Sequence, residues 1–449
     1  MIDASTEQTL TNETVELLQA LIRNQCVNDG TPDSGHEDRS ARLLRDELEG
    51  TGVDMETFEV HPGRTSLIAR LEGTDPQAPK LCLMGHTDVV PVSPEGWIHD
   101  PFGGELIDGE VWGRGAVDML NLLSSMTVAF RHLARNDTRY PGDIIYFAVA
   151  DEEAGGKLGA GPLVDAEWDH LGCDFVLTEF GGIPLTTAAG TSILVTTAEK
   201  GLGWRRLKVK GTPGHGSMPY GSDNALVKAA EVVRRLHQYS PKPQLDEMWA
   251  ARILALGLDR ELTAKLLDPS RIKEAFDELP PAIAGNLHSC SHTSFSPNVI
   301  NGGLKTNIIP DEITIEVDIR TLPGETSVDV EAHLRAALGE LFDQVEVEVL
   351  QEDVSTISPT DNRLWHALSE AMTKPYPGAA LIPSLVTGGT DARFFRKKGA
   401  VAYGAGLLSP ELNPMEFFSR FHGHNERIDV ESLRLTLNLW LDVIDRLWE

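Results

Sequence analysis

The chain has 449 residues, 41% of them hydrophobic, enough for two or three domains with sizeable cores. Its 68 acidic residues against 39 basic ones give a formal net charge of -29, a balance that repels phosphate backbones and anionic membrane surfaces. The acid is spread along the chain and no basic patch interrupts it, so neither nucleic acid nor a membrane is expected as a partner. The opening MIDASTEQTL has no basic or apolar leader region, and no run approaches the roughly 18 apolar residues of a membrane span. Cys26, Cys82, Cys173 and Cys290 lie far apart with no CxxC pair, a pattern of reduced thiols, and a cytoplasmic location is the expectation.

Leucine and valine at helical spacing over residues 7–24, and again over 36–50 where a glycine ends the pattern, predict two opening helices. Strand-like apolar runs follow at Ser66 to Leu71 and Leu81 to Met84, then a long apolar helix near 119–134, then strands at Ile144 to Ala150 and Asp174 to Thr178. This alternation predicts an α/β fold with parallel strands, whose sites gather beyond the carboxyl ends of those strands. From about Thr191 the order becomes a strand at 202–211, a helix from Asn224 to His237, and strands at Thr293 to Asn298 and Asn307 to Arg320. A helix from Val328 to Leu341 and a strand from Val345 to Leu350 complete a β-α-β-β-α-β order, a two-layer α+β domain of ferredoxin-like type. Residues 240–290 read as a helical insertion within it. After about Ser355 the first alternation resumes and runs to Trp448. The predicted domains are an outer one made of 1–192 and 354–449, interrupted by an inserted one at 193–353.

Three predicted strands end in residue types that bind metals: LCLMG runs into His86-Thr87-Asp88, IIYFAVA into Asp151-Glu152-Glu153, and CDFVLT into Glu179. A single such ending is ordinarily a solvated loop residue or a helix cap. Three from one parallel sheet converge on one crevice, and converging carboxylates are unfavourable unless a cation sits among them. A metal is therefore predicted. Asp118, at the end of WGRGAVD and just ahead of the long apolar helix, reads on its own as an N-cap. The loop HGHNE, with His422 and His424, reads on its own as surface in a chain of 14 histidines.

Taken in order, GHTDVVP, the set Trp97, Asp100, Pro101 and Phe102, then GRGAVDM, DEEAGG, the Glu179 strand end and HGHNE resemble the M20 metallopeptidase family. That family includes aminoacylases, carnosinase-like dipeptidases, glutamate carboxypeptidases, and acetylornithine and succinyl-diaminopimelate deacylases, and the similarity covers almost the whole chain. The resemblance implies a zinc-peptidase-like catalytic domain with a mixed, largely parallel sheet, and an inserted lid and dimerisation domain. It implies two divalent ions, zinc first with manganese or cobalt as alternatives. His86 and Glu179 would bind one, Glu153 and His422 the other, with Asp118 bridging and a cis peptide from Asp118 to Met119. His422 is preferred to His424 because it matches the family's HxxNE spacing. Asp88 matches the acid that accepts the imidazole's other N–H, which orients the ring and raises its basicity. Glu152 matches the general base: two metals about 3.5–4 Å apart lower the pKa of a water between them and polarise the scissile carbonyl, and an unligated carboxylate moves the proton.

The same resemblance assigns the substrate's surroundings. Gly214-His215-Gly216-Ser217 is similar to the loop whose histidine reaches the active site of a second subunit and stabilises the oxyanion, which implies a homodimer. Asn307 and Arg320 face the substrate; a guanidinium fork suits a free carboxylate, although an arginine at a strand end is commonly a structural ion-pair partner. Gly388, Gly389 and Thr390 match the glycine loop whose N–H groups hold the same carboxylate. Three features differ from parts of the family: Leu120-Asn121 replace a common Lys-Gly pair, GGTDAR replaces the GGTSDGR of the succinyl-diaminopimelate deacylases, and Glu179 occupies a position that is Asp in some members and Glu in others. The expected function is hydrolysis of a peptide or N-acyl amide bond beside a free carboxylate, of dipeptidase, carboxypeptidase or aminoacylase type. A biosynthetic N-acetyl or N-succinyl amino acid deacylase is the alternative. A catalytically inactive binding homologue is more remote, because every ligand and Glu152 are present.

Overall fold

The computed structural model describes residues 2–136, 139–188 and 190–449. Strands Leu81–His86, Ile144–Val149 and Phe175–Thr178 are buried along their whole length, as near-continuous apolar runs covered on both faces must be. They pair parallel with one another, and Val401–Gly404 adds a fourth parallel member. Antiparallel strands Asp54–His61 and Arg64–Leu71 extend one side of a ten-stranded sheet, whose parallel centre is the α/β arrangement expected from the sequence and whose mixed character is the one the resemblance implies. One face is covered by helices Ala4–Arg23, Leu120–Arg135, Arg363–Thr373 and Val430–Leu447, whose leucine stripes form the largest core. The other face is covered by the short helices Ala160–Ala166 and Ala392–Lys397. Parallel pairing puts the ends of the three central strands, and so His86, Glu152 and Glu179, at one edge of the sheet.

A second sheet is antiparallel throughout, in the order Ser294–Gly302, Glu312–Thr321, Gly201–Lys210, Val345–Asp353. Its alternating pattern sends Leu207, Val209, Ile313, Ile315, Val317 and Ile319 into a core under helices Ala225–Gln238 and Ser327–Leu338. The β-α-β-β-α-β order is present. Two details differ from expectation. Strand Gly190–Glu199 belongs to the large sheet, where it pairs parallel with Ala380–Val386, so the chain leaves that sheet at Glu199 rather than at residue 193. Residues 307–320 are not one strand either, because Pro310 cannot donate to a ladder. Ile308–Ile309 instead pairs with Gly214–His215 as a separate ribbon, and Glu312–Thr321 enters the sheet.

The 240–290 region folds as helices Glu247–Ala255, Arg260–Leu266, Ile272–Glu278 and Pro281–Ser291 around a small core of Trp249, Ile253, Leu266, Ile272 and Leu287. Its first helix packs on strand Ala380–Val386 of the large sheet, with Met248 and Cys290 against Ala198 and Leu385. Among the described residues no helix is long and apolar enough to cross a membrane.

Candidate metal centre

Six side chains meet at the sheet edge. His86 ends its strand, Glu179 follows Phe175–Thr178, and Glu152 and Glu153 lie in the turn after Ile144–Val149. Asp118 lies two residues ahead of the first residue of helix Leu120–Arg135; the N-cap is Met119 and no side chain caps the helix, so the capping role open to Asp118 is not used. The Asp118–Met119 peptide is cis, as the family resemblance implies. The Asp118 carboxylate divides its oxygens. Oδ1 lies 3.3 Å from His86 Nε2, which is itself 3.4 Å from Glu179 Oε2. Oδ2 lies 3.2 Å from His422 Nε2, which is 3.2 Å from Glu153 Oε2. Two clusters thus share one carboxylate. His424 is not in either; its ring sits against Gly96, where a Cβ would meet it at 2.3 Å.

Buried charges behind these ligands hold them in place. His86 Nδ1 is 2.9 Å from the backbone carbonyl of Asp88 and 3.6 Å from its carboxylate, so the ring is oriented mainly by the main chain rather than by the predicted side-chain acceptor. The Asp88 carboxylate is engaged elsewhere: it accepts from the Glu152 and Glu153 N–H groups at 3.3 and 3.2 Å and from Asn28 Nδ2 at 2.8 Å. Beside it, Asp151 accepts from the Leu158 N–H and from Arg64, and Arg64 also pairs with Glu37 at 2.8 Å. Arg64 and Glu37 are both fully buried. On the opposite side Glu426 accepts from the Val117 and Asp118 N–H groups and from Arg114, which in turn donates to the His422 carbonyl. Phe180 and Phe421, the neighbours of Glu179 and His422, stack with centroids 5.1 Å apart.

The electrostatics of the cluster are those of excess negative charge. Burial pushes Glu152 well up from the usual carboxylate range, with Glu179 adding to it. Burial likewise raises Glu153, and takes Glu179 to about 8. His422 is pushed up to about 10 by Asp118 and Glu153. Burial works against both the His86 imidazolium and the Asp118 carboxylate, but their mutual contact and their other partners outweigh it, raising His86 and lowering Asp118. A divalent cation would take over the balancing role of these protons. The donors fit one: His86, Asp118 and Glu153 offer ligand atoms within 4.8 Å of one another, as do His86, Glu152 and Glu179. Glu153 Oε1 is buried with no hydrogen-bond partner, as a free ligand oxygen would be. Imidazole nitrogen with carboxylate oxygen suits zinc, manganese or cobalt.

The other predicted residues lie apart from this cluster. His215 and Asn307 are exposed on the small ribbon, joined by the Gly216 N–H to Asn307 carbonyl bond of 2.9 Å, with Ser217 Oγ 2.7 Å from His215 Nδ1. Among the described residues no hydrogen bond or ion pair links them to the five ligands. Arg320 is held by Asp318 through Nε at 2.7 Å and Nη2 at 3.2 Å and lies over the Trp204 ring. Thr390 departs from its predicted role: its N–H and hydroxyl both donate to buried Glu199, so its polar groups are committed inward. Gly388 has open space where a side chain would stand. The Arg64–Glu37–Asn28 network, Glu199 and the Glu426–Arg114 pair escaped the sequence reading as supports of the site; only the last lies within its motifs.

The model of peptidase family M20/M25/M40 matches residues 82–446. The chain belongs to this family. It is accordingly a metal-dependent hydrolase of peptide or amide bonds. Among M20 relatives, aminoacylase-1 of Sus scrofa is 29% identical over 419 residues, covering 92% of this chain and 90% of its own length. The N-fatty-acyl-amino acid synthase/hydrolase of Xenopus tropicalis is 29% identical over 397 residues, covering 85% and 75%. An M20 metallo-carboxypeptidase from Sulfolobus solfataricus superposes with a TM-score of 0.72 at 18% identity over 97% of this chain and 99% of its own, a likeness of fold.

Proposed function

We propose that this M20 enzyme hydrolyses the amide bond of N-acyl amino acids or small peptides that carry a free carboxylate beside the cleaved bond. The observation that carries the reading is the division of Asp118 between a His86–Glu179 side and a His422–Glu153 side, with Glu152 offering a carboxylate oxygen within 4.8 Å of ligand atoms of His86 and Glu179. His86 and Glu179 would hold one divalent cation, Glu153 and His422 the second, with Asp118 shared; zinc is the first choice, manganese or cobalt the others. When bound, two such cations supply Lewis acidity to a scissile carbonyl and lower the pKa of water. Glu152 takes the proton on its carboxylate and returns it to the leaving nitrogen.

Arg320, aimed by Asp318, and the N–H groups of Gly388 and Gly389 would grip the substrate carboxylate, with Asn307 beside them. Similarity to aminoacylase-1 favours N-acyl amino acids as substrates. The second sheet with its helices serves as lid and dimerisation unit, and His215 works at the site of a second copy. Exposed Leu226, Val227, Val299, Ile300 and Leu304 on that unit support such an association, as does the unpaired side of edge strand Ser294–Gly302. Four free cysteines support a reducing, cytoplasmic location.

The test is hydrolysis of a panel of N-acetyl, N-succinyl and long-chain N-acyl amino acids and of dipeptides, with each substrate also offered as its carboxyl amide. Chelation is expected to abolish turnover, added Zn, Mn or Co to restore it, and amidation of the carboxylate to cost about 2 kcal/mol or more of kcat/KM. Turnover that survives complete chelation, or ignores amidation, contradicts the reading.

A further inference from the structure

Two chain crossings join the sheets, at Glu199–Gly201 and at Asp353–Thr356, and both grip the same short segment, residues 390–397. At the first crossing Glu199 accepts from the Thr390 N–H and hydroxyl, from Thr356 Oγ1 at 2.6 Å and from Arg396 Nη1 at 2.8 Å. At the second, Asp353 accepts from Arg393 Nε at 3.0 Å and pairs with Lys397.

Arg393 spends its three nitrogens on three separate places. Nε goes to Asp353, the last residue of strand Val345–Asp353; Nη1 goes to the Thr390 carbonyl of the glycine loop; Nη2 goes to the Gly155 carbonyl at 2.8 Å. Gly155 closes the Glu152–Ala154 turn at φ +92°, and its N–H donates to the Glu152 carbonyl at 2.7 Å. The Glu152 backbone is thus linked through one residue, Gly155, and two hydrogen bonds to Arg393, a side chain buried to 5% exposure. Among the described residues Arg393 makes no hydrogen bond or ion pair to the five ligands, and its rigid, planar guanidinium spreads its donors widely enough to reach three separated acceptors.

We propose that Arg393 is a positioning residue, held by Asp353 at the end of the second sheet, that sets the Glu152 turn through the Gly155 carbonyl. The catalytic consequence rests on the reading of Glu152 as the group that moves the proton; the positional one does not. A base displaced by a fraction of an ångström loses rate while binding is preserved. The position of the second sheet is thereby built into the placement of Glu152.

The experiment compares wild type, Arg393→Lys, Asp353→Asn and the double variant by hydrogen exchange of the Asp151–Leu158 segment and by steady-state kinetics of the metal-loaded enzyme. Exchange in that segment is expected to rise several-fold in each variant while helix Leu120–Arg135 is unaffected. A fall in kcat of about 10-fold is expected, with KM and metal stoichiometry within about twofold of wild type. The double variant should be no worse than Arg393→Lys, because both act through one contact. Unchanged exchange at 151–158 overturns the proposal, as do multiplicative losses in the double variant. Faster exchange with undiminished kcat overturns its catalytic part. If Arg393→Lys does not fold, Asp353→Asn, at the rim with 15% side-chain exposure, decides alone. A wild type without amide turnover refutes the proposed function, and the exchange arm still judges the positional claim.

Discussion

Asp118 has each carboxylate oxygen facing a different histidine, so one buried acid joins the two halves of the cluster. The residues that make this possible are charged groups sunk beneath the site. Arg64 is fully buried between Glu37 and Asp151, and Asp151 shares Asn28 with Asp88. Removing one partner of such a network leaves charges buried and uncompensated. Arg64→Met is therefore expected to cost about 3–5 kcal/mol, read from denaturant midpoints, while a loss under about 1 kcal/mol would show the network to be dispensable. His86 and Glu153 were legible in the sequence because apolar strands ran straight into them. Arg64 and Glu37 were not: each sits at the start of an element, where a charge normally faces water, and only the tertiary fold brings them together. Thr390 shows the converse, a motif residue whose side chain turns inward to Glu199.

Among the elements, the helical insertion has its own electrostatic signature. His288 and His292 stack with parallel rings 4.2 Å apart, above the Lys200 ammonium, which donates to the Ser289 and His292 carbonyls. Burial, with His288 beside it, lowers His292 from 6.5 to about 4, and burial lowers His288 too. The unfolded chain takes up a proton near pH 6.5 that folded His292 refuses until about pH 4, so stability falls as pH drops through that window and levels below it. His292→Gln should flatten this slope in thermal unfolding scans between pH 7 and 4; an unaltered slope would place the sensitivity elsewhere. The element pattern itself was largely readable, since strand and helix periods differ so clearly. It failed at Gly190–Glu199, whose mixed threonine and aliphatic text suits either sheet, and at Pro310, which splits one apparent strand into two.

At the scale of the molecule, one sheet edge carries the five ligands and Glu152, and the second sheet presents His215 and Asn307 outward on a ribbon of its own. A second copy seated on the exposed apolar residues of helix Ala225–Gln238 and strand Ser294–Gly302 would give those residues a site to complete. Sedimentation is expected to show a two-chain species that Val227→Asp converts to single chains, with turnover lost and metal retained; a fully active single chain would remove His215 from the account. The whole-molecule plan was the most legible part, because ordered motifs spaced along the chain report a common architecture, whereas on the proposed pairing of two copies His215's position relative to a site would be set by assembly and not by local pattern. The most direct measurement of the central claim is metal content and turnover of Glu152→Gln together. Two divalent cations per chain, as in wild type, are expected, with a loss of at least about 1000-fold in kcat on the best substrate of the panel. Retained turnover would remove Glu152 as the base, and fewer than two cations would break its separation from the ligand set.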